Sequence, residues 1–134
     1  MAFDLELELF LSGKPVRVMQ LLTDPVLIRK WSGEDGIAEA KEGGKFEMFD
    51  GWVTGKVLKA TDNELVVTWL PADWEEGAAP SQVSFWLKPY ASGTQLKLRH
   101  TGFPNEKERD SHKSGWSDFY FDPMEDFMLI MDKS

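Results

Sequence analysis

The sequence predicts an α+β chain: an antiparallel β-sheet curved around one long C-terminal helix, with two short helices after the first strand. Three observations predict it. Alternating apolar and polar runs recur at intervals of about 8–12 residues with turn signals between them, which specifies antiparallel strands. Helical periodicity is kept out of the middle of the chain, which favours α+β over a series of βαβ units. Every strand has one apolar face, so one side of the sheet needs a cover. Only residues 112–128 make a helix long enough, about 25 Å.

The elements follow in order. "FDLELELFL", residues 3–11, alternates strictly, with Leu5, Leu7 and Leu9 on one face and Asp4, Glu6 and Glu8 on the other. That is a half-buried strand. Residues 12–22 change period: Ser12 is placed as an N-cap, Pro15 lies in the first turn, and Val18, Met19 and Leu22 form a short apolar stripe. Asp24 caps and Pro25 opens a second short helix over residues 23–31, with Leu27, Ile28 and Trp31 on its apolar face. Strands are then predicted at 36–40, 43–49, 52–60, 65–70, 82–90 and 94–101. Asp50–Gly51 is a tight-turn signal between two of them. Gly55, inside a strand, points to a bulge or to the close approach of another element. Residues 71–81 and 102–111 read as loops, the second with a polar helical turn. In "HKSGWSDFYFDPMEDFM", residues 112–128, apolar side chains recur at helical spacing. Continued to Met131, the stripe is Trp116, Phe119, Tyr120, Pro123, Met124, Phe127, Met128 and Met131. Pro123 removes one backbone hydrogen bond and predicts a bend of more than about 20° near Phe119–Pro123.

Composition excludes several functions. The chain has 134 residues, read as one domain over 1–134, and no cysteine. Disulfides, thiolate metal sites and a cysteine nucleophile are therefore ruled out; a reducing, cytoplasmic setting is expected. Fifteen Lys and Arg among 23 Asp and Glu give a net charge of −8. That balance argues against nucleic acid, whose phosphates need clustered cations, and against an anionic membrane surface. The N-terminal run carries acids where a signal peptide carries bases, and no stretch reaches the roughly 20 apolar residues of a membrane span. The glycine-containing segments "GEDG" and "EGGK" lack a phosphate-loop pattern, and no serine sits in a nucleophile elbow. The two histidines, His100 and His112, have no carboxylate at ligand spacing, so neither a metal nor another cofactor is expected.

The order of motifs resembles a known family. "EGGKFEMFDGWVTGKVLKATDNELVVTWLPADWEEG", residues 42–77, is similar to the domain found in activators of heat-shock protein 90 ATPase. The shared features are its GGKF–DG–V–G hairpin, VVTW strand and W-x-x-G loop. "GTQLKLRHTGFPNEKE" followed by "GWSDFYFDPM" matches the later part of the same pattern, and the likeness runs from about Leu5 to Phe127. What the resemblance implies is a helix-grip fold of the START-like (SRPBCC) superfamily, in which an apolar cavity lies between the sheet and the long helix. Members bind lipids, sterols and other apolar molecules, and some are cyclases or hydrolases.

The candidate ligand cavity is the inward-facing set. From the sheet come Phe46, Met48, Val53, Val57, Val67, Trp69, Phe85, Leu87, Leu98 and His100; Trp31 comes from the short helices; Trp116, Tyr120 and Met124 come from the long one. Apolar walls with a few placed polar groups suit a ligand pocket. His100 continues the inward phase of Leu96 and Leu98, where it could orient a ligand. His112, among Arg109, Asp110 and Lys113, reads as solvated. The carboxylates read as a solvated strand face, loop charges and the outer side of the helix, with none placed for acid–base work. Trp52, Trp74 and Trp86 lie out of phase or in a loop, as a contact surface would require. The expected function is non-enzymatic binding of a small apolar ligand. The alternative is a protein-interaction module with a chaperone partner, heat-shock protein 90. A third reading, a small-molecule cyclase or hydrolase, would need a polar dyad such as His100 with Tyr120.

Overall fold

The computed structural model describes residues 3–131. Seven strands are present: β1 (Phe3–Leu11), β2 (Ile37–Ala38), β3 (Lys45–Met48), β4 (Val53–Ala60), β5 (Glu64–Pro71), β6 (Ser81–Tyr90) and β7 (Gly93–Phe103). They form one curved sheet in the order β1-β7-β6-β5-β4-β3-β2, and every pairing is antiparallel. β2 to β7 pair in sequence order, and β1 returns to the far edge beside β7.

Register puts the apolar phase on one face. Leu5, His100, Val83, Val67 and Val57 lie opposite one another in a row across five strands, β1, β7, β6, β5 and β4. Next to it runs Leu98–Phe85–Leu65. Because side chains alternate with a period of two, each row lies wholly on one face, and all of these side chains are buried. Asp4, Glu6 and Glu8 face outward, where Arg99 and Lys97 lie within ion-pair distance.

At Gly55 the neighbouring strand comes close, and the register shift of β4 against β5 falls further on, between Val57 and Lys59. A Cβ on Gly55 would lie 2.0 Å from the Thr68 carbonyl oxygen. Thr68 also accepts the Lys56 N–H on Oγ1 at 2.8 Å, which satisfies a donor at this irregular stretch.

Two short helices, α1 (Pro15–Thr23) and α2 (Pro25–Ser32), lie between β1 and β2. Ser12 does not cap α1: Lys14 occupies the cap position without a side-chain bond. The Ser12 N–H and hydroxyl instead both donate to Glu125 Oε1, at 3.0 and 2.9 Å. A carboxylate acceptor makes the stronger bond, and the link ties the end of β1 to the C-terminal helix. Asp24 caps α2 as expected, accepting from the Val26 and Leu27 N–H groups, and Gly33 ends it at φ 79°.

The C-terminal helix starts earlier than residue 112. It runs as α3 (Glu106–Gly115), a π-helical turn (Trp116–Phe121) and α4 (Asp122–Met131). Asn105 caps α3 by accepting the Glu108 N–H. In the wide turn the Asp122 N–H reaches back to the Ser117 carbonyl, and the turn ends where Pro123 has no N–H to give. A π turn holds about one residue more than an α turn, so the inward face changes register. Trp116, Tyr120, Phe121, Met124 and Met128 are buried, whereas Phe119 is 65% exposed. Trp116 and Phe121, five apart, stack at 5.9 Å and 22°. Two members of the expected stripe, Phe119 and Met131, therefore lie outside the core.

Candidate functional site

A turn on the sheet side and the wide turn of the helix face each other across a cleft of about 210 Å³. On the sheet side, Phe49–Gly51 bulges between β3 and β4 with three successive positive φ angles: 55° at Phe49, 56° at Asp50 and 90° at Gly51. A left-handed conformation costs a non-glycine residue about 1–2 kcal/mol. Reciprocal bonds hold the turn, since Asp50 N–H donates to the Asp35 carbonyl (3.0 Å) and Asp35 N–H to Asp50 Oδ1 (2.7 Å). Backbone strain of this kind clusters at functional sites. Here it turns Phe49 and Trp52 toward the helix.

Six aromatic side chains line the cleft: Phe49, Trp52, Trp69, Trp116, Phe119 and Tyr120. Tyr120 meets the Phe49 ring edge-on, with centroids 5.6 Å apart at 87°. It also packs on Trp116 at 4.7 Å, and Trp69 packs on Trp116 at 4.8 Å. Asp73, Glu108, Ser111, His112 and Gly115 complete the lining.

Beneath this wall two indoles donate to two imidazoles. Trp116 Nε1–H donates to His100 Nδ1 at 3.2 Å. That leaves Nε2 of His100 as the protonated nitrogen, and it donates to Ser81 Oγ at 2.8 Å. The Ser81 hydroxyl in turn donates to the Trp69 carbonyl at 2.6 Å. Trp69 Nε1–H donates to His112 Nε2 at 3.1 Å, while His112 Nδ1–H donates to the Glu108 carbonyl at 3.0 Å. Both rings are consequently neutral, in opposite tautomers. Burial pushes the His100 pKa down to about 2, with neighbouring His112 adding to the effect. Burial likewise lowers the His112 pKa, against an opposing pull from Glu108 and Asp73. Burial raises that of Tyr120.

The predicted site residues fall into two groups. Trp31, Phe46, Met48, Val53, Val57, Val67, Phe85, Leu87, Leu98 and Met124 are packed together in the buried core, with His100 fully enclosed among them. Trp69, Trp116 and Tyr120 reach the cleft. Both ring nitrogens of His100 are engaged by Trp116 and Ser81, so it forms no dyad with Tyr120. His112 is buried rather than solvated, because α3 starts at Glu106 and turns it inward to accept the Trp69 indole. Sequence reasoning missed Phe49, Asp73, Glu108, Ser111 and Phe119 as lining residues. Of the others, only Trp52 carried a signal, being apolar and out of phase. Trp74 is half-buried and donates its indole N–H to Glu108 Oε1 at 2.6 Å; Trp86 is exposed on the outer face and donates to Glu64.

A curved antiparallel sheet closed by a C-terminal helix defines the helix-grip, START-like class. Within that class the chain belongs to the family described as "Activator of Hsp90 ATPase homolog 1-like protein", whose pattern it matches over residues 13–128. It is 29% identical over 116 residues to the mouse (Mus musculus) protein "Activator of 90 kDa heat shock protein ATPase homolog 2", a match covering 85% of this chain and 34% of that one. The chain thus spans about a third of the length of that relative. Two solved structures are similar. Protein MLL2253 of Mesorhizobium loti superposes with a TM-score of 0.82 at 26% identity, covering 97% of this chain and 99% of that one. PFC0360w, described as an HSP90 activator from Plasmodium falciparum, superposes with a TM-score of 0.77 at 25% identity, covering 98% and 96%.

Proposed function

We propose that the domain is a non-enzymatic binding module that takes a small apolar group between Phe49 and Trp52 on one side and Trp116, Phe119 and Tyr120 on the other. The observation that carries this reading is the Tyr120 hydroxyl. The residue is 2% exposed, and its hydroxyl makes no hydrogen bond among the described residues. Tyr120 lines the cleft, and no fully enclosed polar side-chain atom among the described residues lacks a partner, so the hydroxyl is not wholly enclosed. Apolar walls with one such polar group are how small-molecule sites fix orientation. The size sets the ligand: 210 Å³ falls below the roughly 300–1,000 Å³ of sites for drug-sized molecules, so a ring-sized group fits and a full fatty chain does not. In a calorimetric titration with indole, Trp52→Ala is expected to weaken binding about tenfold, the loss of one aromatic wall, at an unchanged melting temperature. Equal affinity in the variant overturns the assignment.

A second reading is favoured by a separate observation, the likeness to the Plasmodium protein described as an HSP90 activator, which covers 96% of that chain. In this reading the domain docks on heat-shock protein 90. Retention of purified heat-shock protein 90 on the immobilised domain, with a raised ATPase rate, is the expected result. No retention with an unchanged rate removes the reading.

A further inference from the structure

We propose that the cleft selects a small organic cation, an alkylated or quaternary ammonium, over a neutral or anionic molecule of the same shape. The proposal rests on the ligand reading above and names the chemical class of the ligand.

Three features of the lining converge on a positive charge. First, six aromatic rings line a volume of about 210 Å³, and an aromatic face carries the negative lobe of the ring's quadrupole. An alkylammonium among several such faces gains from every one, and quaternary ammonium recognition commonly uses cages of this kind. Secondly, the only charged side chains in the lining are carboxylates, Asp73 and Glu108. Glu108 is fixed in place because its Oε1 accepts the Trp74 indole N–H, while its negative charge remains. No Lys or Arg lines the cleft; Arg109, the next residue along α3, turns to Glu106 and Asp110.

Thirdly, the imidazole in the lining does not offset those charges. His112 Nε2 accepts the Trp69 indole N–H, so a proton there would cost that bond. An anion in this cleft would meet two carboxylates and an aromatic lining. A neutral molecule would gain burial alone. The chain's net charge of −8 raises the local concentration of cations in the same sense.

The test uses three isosteric probes on the full chain: choline, its neutral carbon analogue 3,3-dimethylbutan-1-ol, and the anion 3,3-dimethylbutanoate. Binding is followed by calorimetry and by the indole N–H resonances of Trp52 and Trp116. Choline is expected to bind about tenfold more tightly than the neutral alcohol, a cation–π and carboxylate increment, and the anion to leave the indole signals unmoved. Asp73→Asn, at an exposed loop position, is expected to reduce the choline preference about threefold without changing the alcohol. Raising NaCl to about 0.5 M should likewise weaken choline alone. If the alcohol binds as tightly as choline and both move the indole signals, cation selectivity is overturned while the ligand site stands. If no probe moves those signals and indole also fails to bind, both readings fall.

Discussion

Trp116→Ala is expected to destabilise the fold by about 4 kcal/mol, in the range measured for large aromatic truncations in cores. Trp116 is 2% exposed and sits where the sheet, the wide turn and the histidine network meet. Its ring lies 5.7 Å from Phe85 and 5.9 Å from Phe121, besides its contacts with Trp69 and Tyr120. Alanine leaves a void that a curved sheet and a helix cannot both close, and it leaves His100 Nδ1 without its donor. Trp116→Phe comes close to separating the two losses: it keeps most of the volume, removes the N–H, and should cost about 1–2 kcal/mol. Urea unfolding followed by far-ultraviolet circular dichroism measures both. An alanine variant within about 1 kcal/mol of the parent would show that this position is not a core anchor.

Acid should unfold the domain from near neutrality downward. His100 stays neutral in the folded chain down to about pH 2, whereas in the unfolded chain it titrates near its ordinary 6.5. Below that value the unfolded state binds a proton that the folded state refuses, so stability falls with falling pH. The contribution is complete above the unfolded pKa of 6.5 and keeps declining until the folded value of about 2 is reached. One group held this far down removes about 3 kcal/mol between pH 7 and pH 4. His112, lowered for the same main reason, acts in the same direction. Urea midpoints at pH 7 and pH 5, compared between the parent and His100→Asn, isolate the effect. Asparagine can still accept the Trp116 indole and does not titrate, so its midpoint should move less. Equal movement in both proteins would place the acid sensitivity elsewhere.

The sheet was legible because alternation is a local property. Leu5, Phe46, Val67, Phe85 and Leu98 each announce a strand face within a few residues of sequence, and the register needed only short turns to follow. His100 was legible as inward for the same reason, although its two partners, Trp116 and Ser81, come from distant segments that no local pattern names. The helix was harder. A stripe drawn at 3.6 residues assigns Phe119 to the core and Phe121 to solvent, and the wide turn before Pro123 reverses both. His112 was hidden by charged neighbours: Arg109, Asp110 and Lys113 describe the outer side of α3, and its burial depends on Trp69 supplying a donor from across the core. The cleft itself depends on how far the Phe49–Gly51 turn stands from the helix. That distance is set by three left-handed residues; Asp50–Gly51 announces a turn, whereas Phe49 carries no sign of such a preference.

The wide turn at Trp116–Phe121 can also be regarded as a dislocation in an otherwise regular lattice. One residue too many is packed into a single turn, and the halves of the helix on either side are out of phase. Phe121 is the residue gained by the interior, and Phe119 is the residue expelled. The expelled ring has nowhere to go but the outer edge of the cleft, where it completes the aromatic enclosure. The rim of the cleft is therefore a by-product of how the chain accommodates a proline: the dislocation that turns Phe121 inward also leaves Phe119 exposed at the surface.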